Sequence, residues 1–290
     1  MQNINFEDEI IALADQALKS LNKSDPGYKT ALAAKRSPLE YMRYAEYQAL
    51  LEMFEIKPSD KVLDVSSPQW LSLILAKKYT QCEFYYINIT ENEVLPFKNI
   101  AETCGIKNIE YDIQDAKNLQ HPDDFFNAVI SMSVIEHIYP EEGGDRFAIE
   151  CISNKMKTSG KLYVTLPLND QFNIVYRNTT VYEREEKGIN FYAREYSEKV
   201  LENLFQHVFE IEKKIYICER LGIGALDFYR YGPGKESIYG KALVFFVKVV
   251  SKLGIFNIKK VLSKNYIEIS DKPLNRKVNV ALQLRPLTSL

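Results

Sequence analysis

The feature that most narrows what this chain can fold into is a series of short apolar runs between residues 61 and 166. Each run is followed by helical periodicity. Val62-Leu63-Asp64-Val65, Glu83-Phe84-Tyr85-Tyr86-Ile87-Asn88, Ile109-Glu110-Tyr111-Asp112-Ile113, Phe126-Asn127-Ala128-Val129-Ile130-Ser131 and Gly160-Lys161-Leu162-Tyr163-Val164-Thr165-Leu166 read as five strands. Helices are predicted to about Tyr79, over about 91–104 with Gly105 as the stop, and near 143–157. Strands alternating with helices at this spacing give right-handed βαβ units and a mostly parallel, doubly wound α/β sheet. After Pro167 the pattern is irregular to about Tyr196. A helix (196–206), a strand (208–218), a Gly-rich loop, a long apolar helix (about 238–262) and a last strand (277–285) follow.

Ahead of the sheet, residues 5–21 carry Ile10, Leu13, Ala14, Ala17, Leu18 and Leu21 at helical spacing, with acids in the first turn. Lys23-Ser24-Asp25-Pro26-Gly27 ends that helix. Ser37-Pro38 is expected to open a second helix over 38–55, with Ser37 as cap and Glu40 at the third position. Residues 1–56 thus form an N-terminal helical cap on an α/β domain spanning 57–290.

Composition removes several classes. With 290 residues, 46% hydrophobic and 26% charged, the chain has enough apolar surface for a core and does not read as disordered. No 18-residue apolar run occurs, and the first nine residues lack a basic-then-apolar leader, so a cytoplasmic protein is expected. Cys82, Cys104, Cys151 and Cys218 are far apart, and His121, His137 and His207 have no ligand spacing. Reduced thiols and no metal site follow. Residues 241–290 hold ten basic against two acidic side chains. Four of them, Lys241, Lys248, Lys252 and Lys259, fall on a thin stripe of the 238–262 helix, not in a patch interleaved with aromatics, so no nucleic-acid partner is expected. Such a helix is expected to be buried in the domain or in a homodimer rather than inserted in a membrane.

In open α/β sheets ligands bind beyond the carboxyl ends of the strands. Those ends carry Asp64-Val65-Ser66-Ser67-Pro68-Gln69-Trp70, Asn88-Ile89-Thr90, Gln114-Asp115-Ala116 and Ser131-Met132-Ser133-Val134-Ile135-Glu136-His137. "KPSDKVLDVSSP", "YYINIT", "IQDAKNL", "DDFFNAVISMSVIEHI" and "SGKLYVTLPL", in this order, resemble the class I S-adenosylmethionine-dependent methyltransferases over about 45–220. The resemblance implies a seven-stranded sheet whose last, antiparallel strand lies between the fifth and sixth, with a helical insertion (221–275) before it. It implies S-adenosylmethionine as cofactor, held by Asp64, Ser66, Ser67, Asn88, Ile89, Asp115, Ala116 and Ser131. Where that family has glycines in its first motif, this chain has Ser66, Pro68 and Trp70; where it has a ribose-binding acid, Asn88 stands.

Methyl transfer to a small-molecule oxygen or nitrogen mostly needs alignment, and a base only if the acceptor is protonated. His137, after the fourth strand, is the candidate base, and capping its turn is the alternative role. Arg43, on the second helix, is placed either to pair the cofactor's carboxylate or to snorkel from an amphipathic face. The segment 168–196 is expected to form the acceptor wall, through Tyr176, Arg177, Tyr192 and Arg194. A repurposed, non-catalytic methyltransferase-like protein that binds a ligand or partner remains the alternative function.

Overall fold

The computed structural model describes residues 4–178, 188–219, 245, 249, 257–274 and 276–287. Five parallel strands form the centre: β1 (Lys61–Val65), β2 (Glu83–Asn88), β3 (Ile109–Ile113), β4 (Phe126–Met132) and β5 (Met156–Pro167). Their crossovers are α4 (Trp70–Lys78), α5 (Glu91–Thr103) and α6 (Gly144–Lys155). After these come β6 (Asn173–Arg177), β7 (Asn190–Glu195), α7 (Glu198–Phe205), β8 (Phe209–Glu219), α8 (Ile258–Tyr266), β9 (Ile267–Ser270) and β10 (Arg276–Pro286). The sheet order is β3-β2-β1-β4-β5-β10-β8-β9. As expected, the last strand β10 lies between β5 and β8, antiparallel to both.

Central strands β1 and β4 are buried along nearly their whole length, which explains their continuous apolar runs. One face is covered by the N-terminal helices α1 (Phe6–Leu18) and α3 (Tyr41–Leu51) with α4, through Ile10, Leu13, Leu50, Leu71 and Leu75. The other is covered by α6 and α7, through Ile149, Ile152, Leu201 and Phe205. The result is a three-layer α/β/α sandwich.

Four expectations change. The Asp25-Pro26-Gly27 stretch does not only stop α1; it starts an additional helix, α2 (Pro26–Arg36), with Pro26 at its first turn. Gly27 lets α2 close on α5, because a Cβ there would sit 2.8 Å from Ile100 Cγ1 and 2.9 Å from the Pro96 carbonyl oxygen. Ser37 consequently ends α2 instead of capping the next helix, being extended ahead of Pro38 (φ −147°, ψ 79°). The sheet has eight strands rather than seven, because residues expected to be helical insertion also supply β9, antiparallel to β8. The segment after Pro167 is not irregular throughout: β6 and β7 pair as a separate antiparallel ribbon.

The expected 238–262 helix lies mostly outside the described residues. Phe245 and Val249 are helical and exposed, at 71% and 38%. Asn257 is extended (φ −77°, ψ 90°) and its side chain accepts from the Lys260 amide, so α8 starts there as a separate helix. Among the described residues no helix is long and apolar enough to cross a membrane, no His/Cys/Asp/Glu group could hold a metal, and the four cysteines are free.

Candidate active site

Beyond β1 the backbone reverses at Ser66, which adopts the left-handed region (φ 55°) that glycine normally fills. The serine compensates locally: its amide and its Oγ both donate to the Ile87 carbonyl, at 3.0 and 2.9 Å. Asp64 accepts from the Ser67 amide at 2.9 Å and from the Ser72 hydroxyl. Ser67 does not cap α4; its Oγ accepts from the Met132 amide at 2.9 Å and ties the β1 turn to β4. Burial pushes the Asp64 carboxyl up to about 6, although the Ser72 and Ser67 bonds act against it. Asp64 and Ser131 therefore lie beneath the site: Ser131 is fully buried, with its Oγ directed at the Val65 carbonyl at 3.4 Å.

Ser66, Ser67 and Asn88 line a cavity of about 460 Å³, with Gln69, Glu93 and Arg43. Asn88 is engaged at both ends, its Nδ2 donating to the Tyr86 hydroxyl at 3.3 Å and its Oδ1 accepting from the Thr90 amide at 3.2 Å. Gln69 Oε1 is buried there without a hydrogen-bond donor among the described residues. A smaller recess of about 50 Å³ continues past Ser66 and Val134 to Ile89, Asp115, Ala116 and Tyr139. Asp115 accepts from the Lys117 amide at 2.9 Å and pairs with the Lys117 ammonium at 3.1 Å.

On the opposite side a second cavity, of about 420 Å³, shares Arg43, Ser133 and His137 with the first. The three spaces therefore run in a row across the carboxyl ends of the strands. Glu46 organises the second. Buried on α3, it takes the Arg43 guanidinium, the Ser133 hydroxyl (2.6 Å), the Thr165 hydroxyl (3.2 Å) and the Asn279 amide (2.5 Å). Ser133, like Ser66, is left-handed (φ 53°).

His137 sits on the turn Ile135–His137, with Nδ1 at 2.6 Å from the Tyr192 carbonyl oxygen. A carbonyl only accepts, so Nδ1 carries the proton and Nε2 a lone pair. Burial pulls the imidazole down to about 4, more than the Tyr192 bond raises it. The near-neutral base expected from the sequence is thus a neutral, weakly basic ring. Its neighbour Glu136 moves the other way: burial pushes the carboxyl up to about 8, with Glu46 adding to the shift and its own backbone amide, Arg43 and Arg194 opposing it.

The four residues predicted for the acceptor wall divide. Arg177 and Tyr192 line the second cavity, the guanidinium 3.9 Å from the ring centroid. Tyr176 points away, 48% exposed and donating to Glu141 Oε1 at 2.5 Å. Strand alternation explains it, since Val175 and Arg177 take the cavity face of β6. Arg194 is 2% exposed and does not face the cavity. It donates to the carbonyls of Glu136 (3.3 Å), Ile138 (3.0 Å), Pro140 (2.7 Å) and Glu141 (2.6 Å), pinning the turn that carries His137. A five-donor fork suits a carbonyl-rich turn.

Sequence reasoning missed Glu46, Asn279 and Glu93, and read Glu136 only as part of a turn. Glu46 had one signal: it falls among Tyr41, Ala45, Ala49 and Leu50 on the buried stripe of α3, where an acid needs partners.

No family model matches the chain, and no curated protein matches it in sequence. Solved structures do match. Coclaurine N-methyltransferase bound to N-methylheliamine and S-adenosylhomocysteine superposes with a TM-score of 0.52 at 11% identity, covering 96% of this chain and 78% of that one. The O-methyltransferase of a trans-AT PKS multienzyme from Brevibacillus brevis, in complex with S-adenosylhomocysteine, gives 0.50 at 14% identity, covering 99% and 81%. The chain has the class I methyltransferase fold. The cyclase SpnF shares it too, with a TM-score of 0.50 at 18% identity, covering 85% of this chain and 83% of that one.

Proposed function

We propose that the protein transfers a methyl group from S-adenosylmethionine to a small molecule. The observation that carries this reading is the row of three adjoining cavities along the strand ends, with the β1 turn lining the middle one. The residues present fit the cofactor. Gln69 Oε1 is a buried acceptor awaiting a donor such as an ammonium. Arg43 lines the same cavity and supplies a cation for a carboxylate. Glu93 stands in that wall beside Asn88 and offers the carboxylate for ribose hydroxyls that Asn88 lacks. Ile89, Ala116 and Asp115 bound a recess suited to one edge of a base.

When bound, the cofactor would supply an electrophilic methyl group on a sulfonium, with the C–S electron pair leaving on sulfur and the acceptor's proton lost to solvent. The chain's own task is alignment and exclusion of water. His137 lies at the junction of the two larger cavities, and its Nε2 lone pair orients an acceptor N–H or O–H toward the first. At about 4 its ring stays neutral at pH 7 and takes no proton in the ground state.

Calorimetry with S-adenosylhomocysteine tests the reading. Binding is expected, and Asp115→Ala should weaken it by about 1.5–3 kcal/mol through loss of a charged acceptor. Absence of binding at millimolar ligand overturns it. One observation favours a second reading, a repurposed ligand-binding protein: Asn88 occupies the ribose-acid position with both ends already bonded. Cofactor binding without methyl transfer to any of a panel of small amines, phenols and carboxylates would support it.

A further inference from the structure

The second cavity holds more hydrogen-bond acceptors than the protein satisfies. Its acids are Glu40, Glu46, Glu136 and Glu195, and its bases Arg43 and Arg177. Glu40 is paired with Lys259, and Glu46 is saturated by Arg43, Ser133, Thr165 and Asn279. Glu136 is different. At 2% exposure, its Oε1 lies 3.7 Å from a neutral imidazole and its Oε2 has no partner among the described residues. Asn279, 5% exposed, gives its amide to Glu46 and leaves Oδ1 equally without a donor. Two buried acceptors in one cavity call for a ligand that brings donors.

We infer that the second cavity takes a substrate bearing an aliphatic amine in its ammonium form, held by the Glu136 carboxylate and the Asn279 side-chain carbonyl. The inference deepens the methyltransferase reading and rests on this cavity being the acceptor site; the ammonium, which has no lone pair, anchors the substrate and is not the atom that receives the methyl group. An ammonium carries up to three N–H donors and a positive charge, so it satisfies both orphaned oxygens and favours ionisation of the buried carboxyl. A hydroxyl brings one donor and no charge, and a carboxylate brings none and is repelled. The groups facing Glu136 are Glu46 and Arg43 from α3, His137 on its own turn, and Arg194 and Tyr196 from the β7 side. Neither arginine ion-pairs with Glu136 within 4 Å: Arg43 pairs with Glu46, and Arg194 pairs with Asp145 and donates to backbone carbonyls, while the only base within that distance among the described residues is the neutral His137 ring at 3.7 Å.

The signature is protonic. The Glu136 carboxyl titrates at about 8, so at pH 7 it is largely protonated. Ammonium binding requires the ionised form and should release about 0.9 proton per ligand at pH 7. Affinity should then rise about tenfold from pH 6 to pH 7 and level off above pH 8. The probes are benzylamine, benzyl alcohol and benzoate, titrated calorimetrically into the full chain at pH 6, 7 and 8 in two buffers of different ionisation enthalpy. Benzylamine is expected to bind about tenfold or more tightly than the alcohol at pH 8, with benzoate weakest. Glu136→Gln, nearly isosteric with the protonated acid, should remove both the proton release and the pH-dependent rise. Equal affinity for amine and alcohol in the unaltered protein overturns the inference whether or not the variant folds. So does a pH-dependent rise that survives in Glu136→Gln. S-adenosylhomocysteine titrated in parallel separates the two readings. Cofactor binding without amine preference defeats only the amine inference, and amine preference without cofactor binding defeats only the methyltransferase reading.

Discussion

In the first cavity and its recess, Ser66, Ser67, Asn88 and Asp115 come from positions at or just after a strand end; Asn88 and Asp115 bond within their own turns, and Ser66 and Ser67 bond the adjacent strands at Ile87 and Met132. In the second, Glu46, Glu136 and Asn279 come from α3, the turn after β4 and β10; Glu46 and Asn279 are 233 residues apart in the chain. The first kind of wall is made by strand-end turns, most of whose polar groups are satisfied by the turn itself or by an adjacent strand, Gln69 Oε1 excepted. The second is made by convergence, so its polar groups depend on one another, and what they leave unsatisfied falls to a ligand. Cutting a convergent group should therefore cost far more than editing a turn.

The largest effect is expected from Glu46→Ala, which strands the Arg43 guanidinium and the Asn279 amide in a buried site. Unfolding in urea should show a loss of about 3–5 kcal/mol, the scale for breaking a buried ion pair by deleting one partner. A loss under about 1 kcal/mol would erase the contrast between the cavities.

Next comes Arg194→Met. It removes four bonds to backbone carbonyls and the 3.4 Å ion pair with Asp145, and should cost about 3 kcal/mol. It should also loosen the His137 turn, read as faster amide exchange at 136–141. Retained acceptor affinity with lost stability would mark Arg194 as a pin rather than a binding residue.

A third expectation concerns pH. Glu136 is raised from 4.5 to about 8 on folding, so the stability it contributes is full at acid pH and lost as pH rises through 8. His137 is lowered from 6.5 to about 4, so its contribution is present above 6.5 and lost as pH falls through 4. Asp64, raised from 3.8 to about 6, is spent by pH 6. From 6.5 to 8 Glu136 dominates, so stability should fall by about 1 kcal/mol overall, while Glu136→Gln should lose that fall and show only the small rise left by the histidines. Chemical denaturation at half-unit pH steps measures it.

The smallest effect sharpens the comparison from the turn side. Ser66→Gly relieves a left-handed serine, worth roughly 1–2 kcal/mol, but loses the Oγ bond to Ile87 and adds chain entropy. A net change within about 1 kcal/mol is expected by thermal unfolding. A larger loss would show that this turn, too, depends on its side chain.

Much of the fold was legible because the signals that encode it are local. Apolar runs bounded by turn residues gave β1 to β5, and Gly105, left-handed at φ 71°, ended α5 as its position suggested. The placement of β10 between β5 and β8 followed from the family resemblance, not from periodicity. Helix α2 escaped because Pro26 both stops and starts helices, and the same residue serves either purpose. Tyr176 and Arg194 were misplaced for a related reason. Without the β6–β7 pairing there is no alternation to say which side chain faces in.

The amino-acid sequence by itself determined the alternating α/β order, the strand-end turns and most of the residues lining the first cavity, since each depends on neighbours within a few positions. Only the tertiary structure decided that α3 delivers Arg43 and Glu46 to the strand ends, that Arg194 is consumed by backbone carbonyls, and that Glu136 and Asn279 share a cavity with unsatisfied oxygens. The reason is burial. Which charges lose water, and which partners remain to replace it, is set by packing between segments distant in the chain, and no local pattern records it.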